Sequence, residues 1–192
     1  VVDGMVSEGD FSTPHLFCTS NLAACNWAFT PVFELDAKSN CHLIFDLALT
    51  DRDASTAFNV ASALSDTTSM FAVVISEDGG NTYKRADAII WSSNNSYEHS
   101  LWDIPNTGKQ YSIDLTKYAG KNIKIALYFT SGLPIDLHLD NFHINRYATT
   151  SYCASTCQYY DFEDNNFAIL LRGKFEEETN DIITFKTFVF LG

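Results

Sequence analysis

The sequence predicts an all-β sandwich, and three stretches carry that reading. "NIKIALYF" (122–129) alternates cleanly, with Ile123, Ile125, Leu127 and Phe129 on one face and Asn122, Lys124 and Tyr128 on the other. Alternation with period two is the mark of a half-buried strand. "MFAVVIS" (70–76) is almost wholly apolar, as a central strand covered on both faces must be. "IITFKTFVF" (182–190) is built from β-branched and aromatic residues, which favour strands.

The remaining elements follow in order. "CHLIFDLAL" (41–49) sets Leu43, Phe45, Leu47 and Leu49 against His42, Ile44, Asp46 and Ala48. "DRDASTAFNVASALSD" (51–66) departs from alternation. Ala54, Ala57, Phe58, Ala61 and Leu64 recur at helical spacing, and Asp51 or Asp53 can cap a short inserted helix. A long ordered loop fits the same residues. "ADAIIW" (86–91) and "QYSIDL" (110–115) read as strands, the latter with Tyr111, Ile113 and Leu115 on one side. In "LHLDNFHI" (137–144) the parity slips: Leu137 and Leu139 are odd, Phe142 and Ile144 even. One face can bury both pairs only if an extra residue is inserted, so a β-bulge is expected at Asp140-Asn141.

Between two of these strands lies "SEDGGNTY" (76–83), which has the Ser-x-Asp-x-Gly-x-Thr-aromatic spacing of an Asp-box. Asp78, Gly79, Gly80 and Asn81 are residues that a tight hairpin turn selects, because they tolerate positive φ. The Ser, Asp and Thr side chains can bond the turn's own backbone, and Tyr83 can cover its base. No nucleophile stands beside a base here, so the stretch reads as a turn.

The length of 192 residues allows one large domain, or one domain with a further fragment. A net charge of −12 disfavours nucleic acid and anionic membranes as partners. The excess carboxylates suit a hard cation such as calcium, and they equally suit plain solubility. No apolar run is long enough for a membrane-spanning helix. The first residues lack the pattern of a signal peptide, so a secreted chain would have its signal removed or upstream. The five cysteines, Cys18, Cys25, Cys41, Cys153 and Cys157, cluster toward the two ends and show no zinc-finger spacing. That usage fits disulfide staples in an oxidising compartment, with one cysteine left over.

Taken in order, "FTPVFELDAKSNCHLIFDLAL", "FAVVISEDGGNTYKR", "YSIDLTKYAGKNIKIALYFTSG" and "IDLHLDNFHI" resemble the MAM-like jelly-roll domains of secreted proteins. These are also called choice-of-anchor or cleaved-adhesin domains. The order of the four motifs, more than any one of them, carries the resemblance, which covers about Trp27 to Ile144. "ACNW" (24–27) is similar to the Cys-x-Trp near the start of a MAM domain. The resemblance implies a concanavalin-like jelly roll over 1–148. It also implies disulfides from Cys41 to Cys153 or Cys157, and from Cys18 to Cys25. "GDFS" (9–12) fits the family's opening strand only in half, whereas "YYDFEDNNF" (159–167) fits it better. The segment 149–192 is then either a partial second repeat or a strand that completes or covers the first sandwich.

The resemblance further implies a structural calcium ion near Asp140, with Asp51, Asp53 and Asp136 as candidate co-ligands. The alternative for Asp140 is a set of bonds to backbone at the bulge. Trp102, Trp91 and Tyr97 lie in or beside a stretch rich in Asn and Ser, and they are the candidate ligand-binding residues. Trp91, like Trp27, also fits a core position. Among His15, His42, His99, His138 and His143 no metal-binding pair is spaced for a helix, though His138 and His143 flank the expected bulge. Neither HExxH nor GxSxG occurs. Glu176, Glu177 and Glu178 read as a solvated loop. The expectation is a non-catalytic binding or adhesion module of a secreted or cell-surface protein, meeting a protein or glycan. Two alternatives are a carbohydrate-binding module that accompanies a hydrolase, and a subunit that assembles by exchange of its C-terminal strand.

Overall fold

The computed structural model describes residues 15–19, 26–63 and 65–148, and beyond them four short strands at 158–159, 169–172, 176–178 and 182–184. The strands are β1 (Leu16–Thr19), β2 (Asn26–Glu34), β3 (Ser39–Asp51), β4 (Met70–Ser76), β5 (Tyr83–Lys84), β6 (Ile89–Ser92) and β7 (His99–Ser100). They continue as β8 (Lys109–Asp114), β9 (Asn122–Thr130), β10 (Ile135–Ala148), β11 (Gln158–Tyr159), β12 (Ile169–Arg172), β13 (Glu176–Glu178) and β14 (Ile182–Thr184).

Two sheets form an all-β sandwich. The first runs β1-β10-β3-β8, with β11 on the same edge of β10 as β1. The second runs β12-β2-β9-β4-β6-β7, antiparallel except for β6 and β7. A small third sheet joins β13, β14 and β5. Leu43, Phe45, Leu47 and Leu49 of β3 face Phe71, Val73 and Ile75 of β4 and Ile123, Ile125, Leu127 and Phe129 of β9 in one core. These are the faces that the alternation selects. Phe45 is the hub, with ring centroids 6.1 Å from Phe142, 6.4 Å from Phe71 and 6.2 Å from Trp91. β4 is covered on both faces as expected: Phe71, Val73 and Ile75 enter the main core, Ala72 and Val74 a second cluster.

The bulge falls where parity demands it. Asp140 pairs with Asp46 and His143 with Ile44, so Asn141 and Phe142 oppose the single residue Phe45. Asn141 takes φ +50°, a left-handed conformation that Asn tolerates better than most residues. The extra residue puts Leu137, Leu139, Phe142 and Ile144 all into the core. β2 contains a second bulge, between Phe29 and Val32. Pro31 has no N–H to give the ladder, and Thr30 takes over there. Its Oγ1 accepts from Ile125 N–H at 3.0 Å and donates to the Pro31 carbonyl at 2.8 Å. That bulge moves Phe33 into the core while leaving Trp27 on the outer face.

Residues 51–66 take the loop alternative, and the reading of Glu176–Glu178 needs correction. Among the described residues of 51–66 there is one 3-10 turn, Val60–Ala63, with turns and bends over 52–56. Asp66 is spent on the chain that follows, accepting from Thr68 N–H and Ser69 N–H. Glu176–Glu178, read as a loop, form strand β13 against β14. The described strands beyond residue 148 join the sandwich at three places: β11 on β10, β12 on β2 and β14 on β5.

Deleting Asn141 removes the bulge and leaves either Leu137 and Leu139 or Phe142 and Ile144 facing outward. Urea unfolding followed by tryptophan fluorescence should lose its cooperative transition. Asn141→Gly keeps the left-handed conformation and should stay within about 1 kcal/mol of the parent. Equal behaviour of the two variants would show that the bulge does not set the register.

Candidate functional site

The outer face of the first sheet is unusual for the polar groups it buries. β10 sends Asp136, His138 and Asp140 to this face, and all three are buried, Asp136 and His138 to 0% exposure. Thr50 of β3 and His15, just before β1, join them, also fully buried. His15 Nε2 lies 2.7 Å from His138 Nδ1, and His138 Nε2 lies 3.1 Å from Thr50 Oγ1. Neutral rings satisfy both contacts in either of two senses. In one, Thr50 donates to His138 and His138 donates to His15; in the other, every donor reverses. Phe17 of β1 closes over the His138 ring at 5.1 Å between centroids. Burial pushes the His138 imidazole down from 6.5 to about 4, and the neighbouring His15 acts in the same direction.

The carboxylates of this face form two separate groups. At one end, Asp136 Oδ2 accepts from Asp53 N–H at 2.8 Å, and Asp53 takes φ +55° to make that contact. Asp51, opposite Ile135, shares the other face with it, and its Oδ1 accepts from Arg52 N–H. Asp136 Oδ1 is buried and receives no hydrogen bond among the described residues. At the bulge, Asp140 Oδ1 accepts from Asn141 N–H at 2.8 Å, and Asn141 Nδ2 donates to Asp46 Oδ2 at 2.8 Å. Four residues of strand separate Asp140 from Asp136, roughly 13 Å. The four expected calcium ligands therefore do not converge on one point. Among the described residues no three ligating side chains gather for a metal. Of the four, Asp136 meets Asp53 through the backbone N–H of Asp53, Asp51 shares the face of Ile135, and Asp140 serves the bulge.

A second candidate lies where two loops meet. Asn106 Nδ2 donates to the Ser55 carbonyl at 3.0 Å, and Trp102 stacks on Phe58 at 5.7 Å with an interplanar angle of 21°. Both rings are half-buried, as is Tyr97, and Asn59, Asn95 and Ser96 beside them in sequence are exposed. Ser100 caps the 3-10 turn that carries Trp102, its Oγ accepting from Trp102 N–H at 3.2 Å. Trp91 does not join this platform. It is 4% exposed and packs in the core against Phe45, Phe71 and Tyr111. Its strand alternates inward at that position, so it has no face to offer a ligand.

The Asp-box is a closed turn. Asp78 Oδ1 accepts from Ser76 Oγ at 2.6 Å, Asn81 N–H at 3.0 Å and Thr82 N–H at 2.9 Å, and Oδ2 accepts from Thr82 Oγ1 at 2.7 Å. Ser76 Oγ also accepts from Gly80 N–H at 2.8 Å. Partial desolvation pushes the Asp78 carboxyl up, yet the bonds from Ser76, Thr82 and Asn81 outweigh it and hold it well below the usual range. Gly79 and Gly80 take φ +73° and +99°. Tyr83 is buried beneath, its hydroxyl pushed up by desolvation and by the Asp78 charge.

Cys18 is half-buried on β1 and Cys41 buried on β3. Cys25, Cys153 and Cys157 lie outside the described residues, and so do the disulfides expected of them. His15 and Thr50 are the residues that the sequence did not single out for this site. Thr50 is in register with Asp136, two residues from His138 on the same face, and the partnership of His138 with His15 spans 123 residues. No family model matches the chain, and a search of the curated proteins finds no match.

Because His138 is neutral and buried when folded, its stability contribution is complete above about pH 6.5 and is lost as pH falls toward about 4. The loss should approach roughly 3 kcal/mol, from about 1.4 kcal/mol per pKa unit. Unfolding free energies measured at pH 7 and pH 4.5 should differ by less in His138→Gln than in the parent. An unchanged pH slope would overturn this assignment. Asp78→Ala leaves several turn donors unpaired and should cost about 1–3 kcal/mol in thermal or urea unfolding.

Proposed function

We propose that the chain is a non-catalytic binding module of an extracellular or cell-surface protein, of the MAM-like jelly-roll kind. The observation that carries this reading is the junction of residues 51–66 with residues 93–108. A rigid sandwich presents two loops that brace one another through Asn106 and Ser55, and between them stands the half-exposed Trp102–Phe58 pair. Half-exposed aromatic rings among Asn and Ser side chains suit a sugar ring, which offers apolar C–H faces and hydroxyls together. The Asp-box supports a non-catalytic role for that motif, since its Ser and Asp side chains are spent on each other and on its own backbone. A calcium ion, where one binds, would rest on Asp136, whose Oδ1 is buried and receives no hydrogen bond among the described residues, and its chemistry there would be to neutralise that carboxylate.

The reading is tested by a glycan array, run in calcium and in EDTA, on the parent chain and on Trp102→Ala. A glycan hit that falls tenfold or more in Trp102→Ala, with near-UV circular dichroism unchanged, supports the loop platform. A hit insensitive to Trp102 places binding elsewhere. A blank array in both conditions turns the reading toward a protein partner.

A further inference from the structure

The first sheet ends on one side in a strand that no described strand covers. Its order is β1-β10-β3-β8, and β8 pairs with β3 alone. The six pairs run from Lys109 opposite Leu47 to Asp114 opposite His42 without a register shift, so no bulge bends this edge away. The ladder fixes which backbone groups are left over. Leu115 N–H donates to the Cys41 carbonyl at 2.8 Å, which continues the register and makes these two a hydrogen-bonded pair. The odd residues of β8 therefore turn their backbone groups toward β3, and Gln110, Ser112 and Asp114 turn theirs outward. The side chains of these three are exposed as well. Tyr111 and Ile113 pack onto the core but stay half-exposed at its rim. Tyr111 stacks on Phe45 at 6.0 Å and meets Trp91 edge-on at 5.5 Å. The devices that usually protect an edge are scarce. Residues 110–113 hold no charge and no Pro, and Lys109 stands only at the start.

We propose that β8 is a pairing edge, and that its occupant is β8 of a second copy of the chain, antiparallel about a two-fold axis at Ser112. Opposite residues of an antiparallel pair must both turn their backbone groups toward one another. Within β8 only Gln110, Ser112 and Asp114 do so, and an axis at Ser112 engages all three in both copies. Ser112 then stands opposite Ser112, Gln110 opposite Asp114 and Tyr111 opposite Ile113. A two-fold contact needs a patch that complements itself, and this strand supplies one. The Gln110 amide donates to the Asp114 carboxylate, which Thr116 N–H already holds in place at 2.7 Å. On the core side, Tyr111 of one copy covers Ile113 of the other, an aromatic against a β-branched residue. Charge selects both the direction and the partner. β8 carries one Lys and one Asp, so it is neutral in a chain of net charge −12. Antiparallel pairing brings the Lys109 end of one copy to the Asp114 end of the other, whereas parallel pairing sets like on like. The rest of each copy repels the other, so the dimer gains with added salt. The result is one continuous sheet through both copies. The inference stands apart from the loop platform and its ligand.

Sedimentation of the full chain should show a dimer whose share rises with protein and salt concentration. Ser112→Cys puts a thiol on the axis, opposite its own copy at about 5.5 Å between Cα atoms, which a disulfide can span. Mild oxidation should link this variant into a covalent dimer. The parent and Val32→Cys, the latter 49% exposed on the second sheet, should stay unlinked. Ser112→Pro removes an outward N–H and no bond to β3, so near-UV circular dichroism should hold while the dimer weakens about tenfold or more. Failure of Ser112→Cys to link, whether the parent sediments as monomer or dimer, overturns the proposal. So does a dimer that a folded Ser112→Pro leaves intact, because its contact then lies elsewhere. If Ser112→Pro does not fold, Ser112→Cys decides alone. A foreign peptide or protein found disulfide-bonded to Ser112→Cys on a monomeric chain would make the edge a seat for another strand, and would overturn the second copy as its occupant.

Discussion

The bulge at Asp140-Asn141 decides what each face of the first sheet can be. β10 is the strand on which β1, β11 and β3 all depend, and its apolar residues change parity at its middle. Without the inserted residue, half of β10 would present the core with Asp136, His138 and Asp140, or else with the polar ends that follow Ile144. With it, one continuous core runs the length of the strand, and one continuous polar strip runs along its back. The strip is a consequence of the same parity that makes the core. The bulge also fixes its own neighbours: Asp140 is held by Asn141 N–H, and Asn141 reaches across to Asp46.

The two outer faces then solve opposite problems. On the first sheet, polar groups are buried, and burial is tolerable because His138 stays neutral and bonds on both sides, to Thr50 and His15. On the second sheet, aromatic groups point away from the core and are nevertheless covered. β2 illustrates the economy of the arrangement. Its bulge at Thr30-Pro31 lets Ala28 and Phe33 enter the core from positions of opposite parity, while Trp27 and Phe29 furnish the outer strip. Bulges in both sheets thus assign faces, and neither sheet is the simple inside-out alternation of an isolated sandwich.

The parts of this legible in the sequence were those governed by local rules. Alternation located β3, β8, β9 and β10 and chose their inward residues, a continuous apolar run located β4, and a parity slip located the bulge. The Asp-box disclosed its turn because its donors and acceptors lie within seven residues of one another. What failed or went unseen depended on distance. Residues 51–66 have helical spacing, but Asp53 is pulled into a left-handed conformation by Asp136 on another strand, and Phe58 is drawn onto Trp102. Helical propensity is a small term, and such tertiary contacts override it. The His15–His138 pair joins the chain's first described residue to one of its last long strand, and no local pattern announces it. The carboxylates expected together were chosen by resemblance; their separation along β10 is a matter of strand rise that only the register makes plain.

The loop platform and the polar strip also differ in what they can tolerate. Trp102 and Phe58 sit on turns braced by single hydrogen bonds, so side chains there can change with small cost to the sandwich. His138, Thr50 and His15 cannot change so freely, because each leaves a buried partner unsatisfied. The strip therefore belongs to the scaffold, whereas the loops are where a ligand can be met without disturbing it. An acid environment separates the two in the same way. It charges a histidine that the fold holds neutral and so weakens the attachment of β1, while the aromatic pair carries no titrating group and keeps its surface.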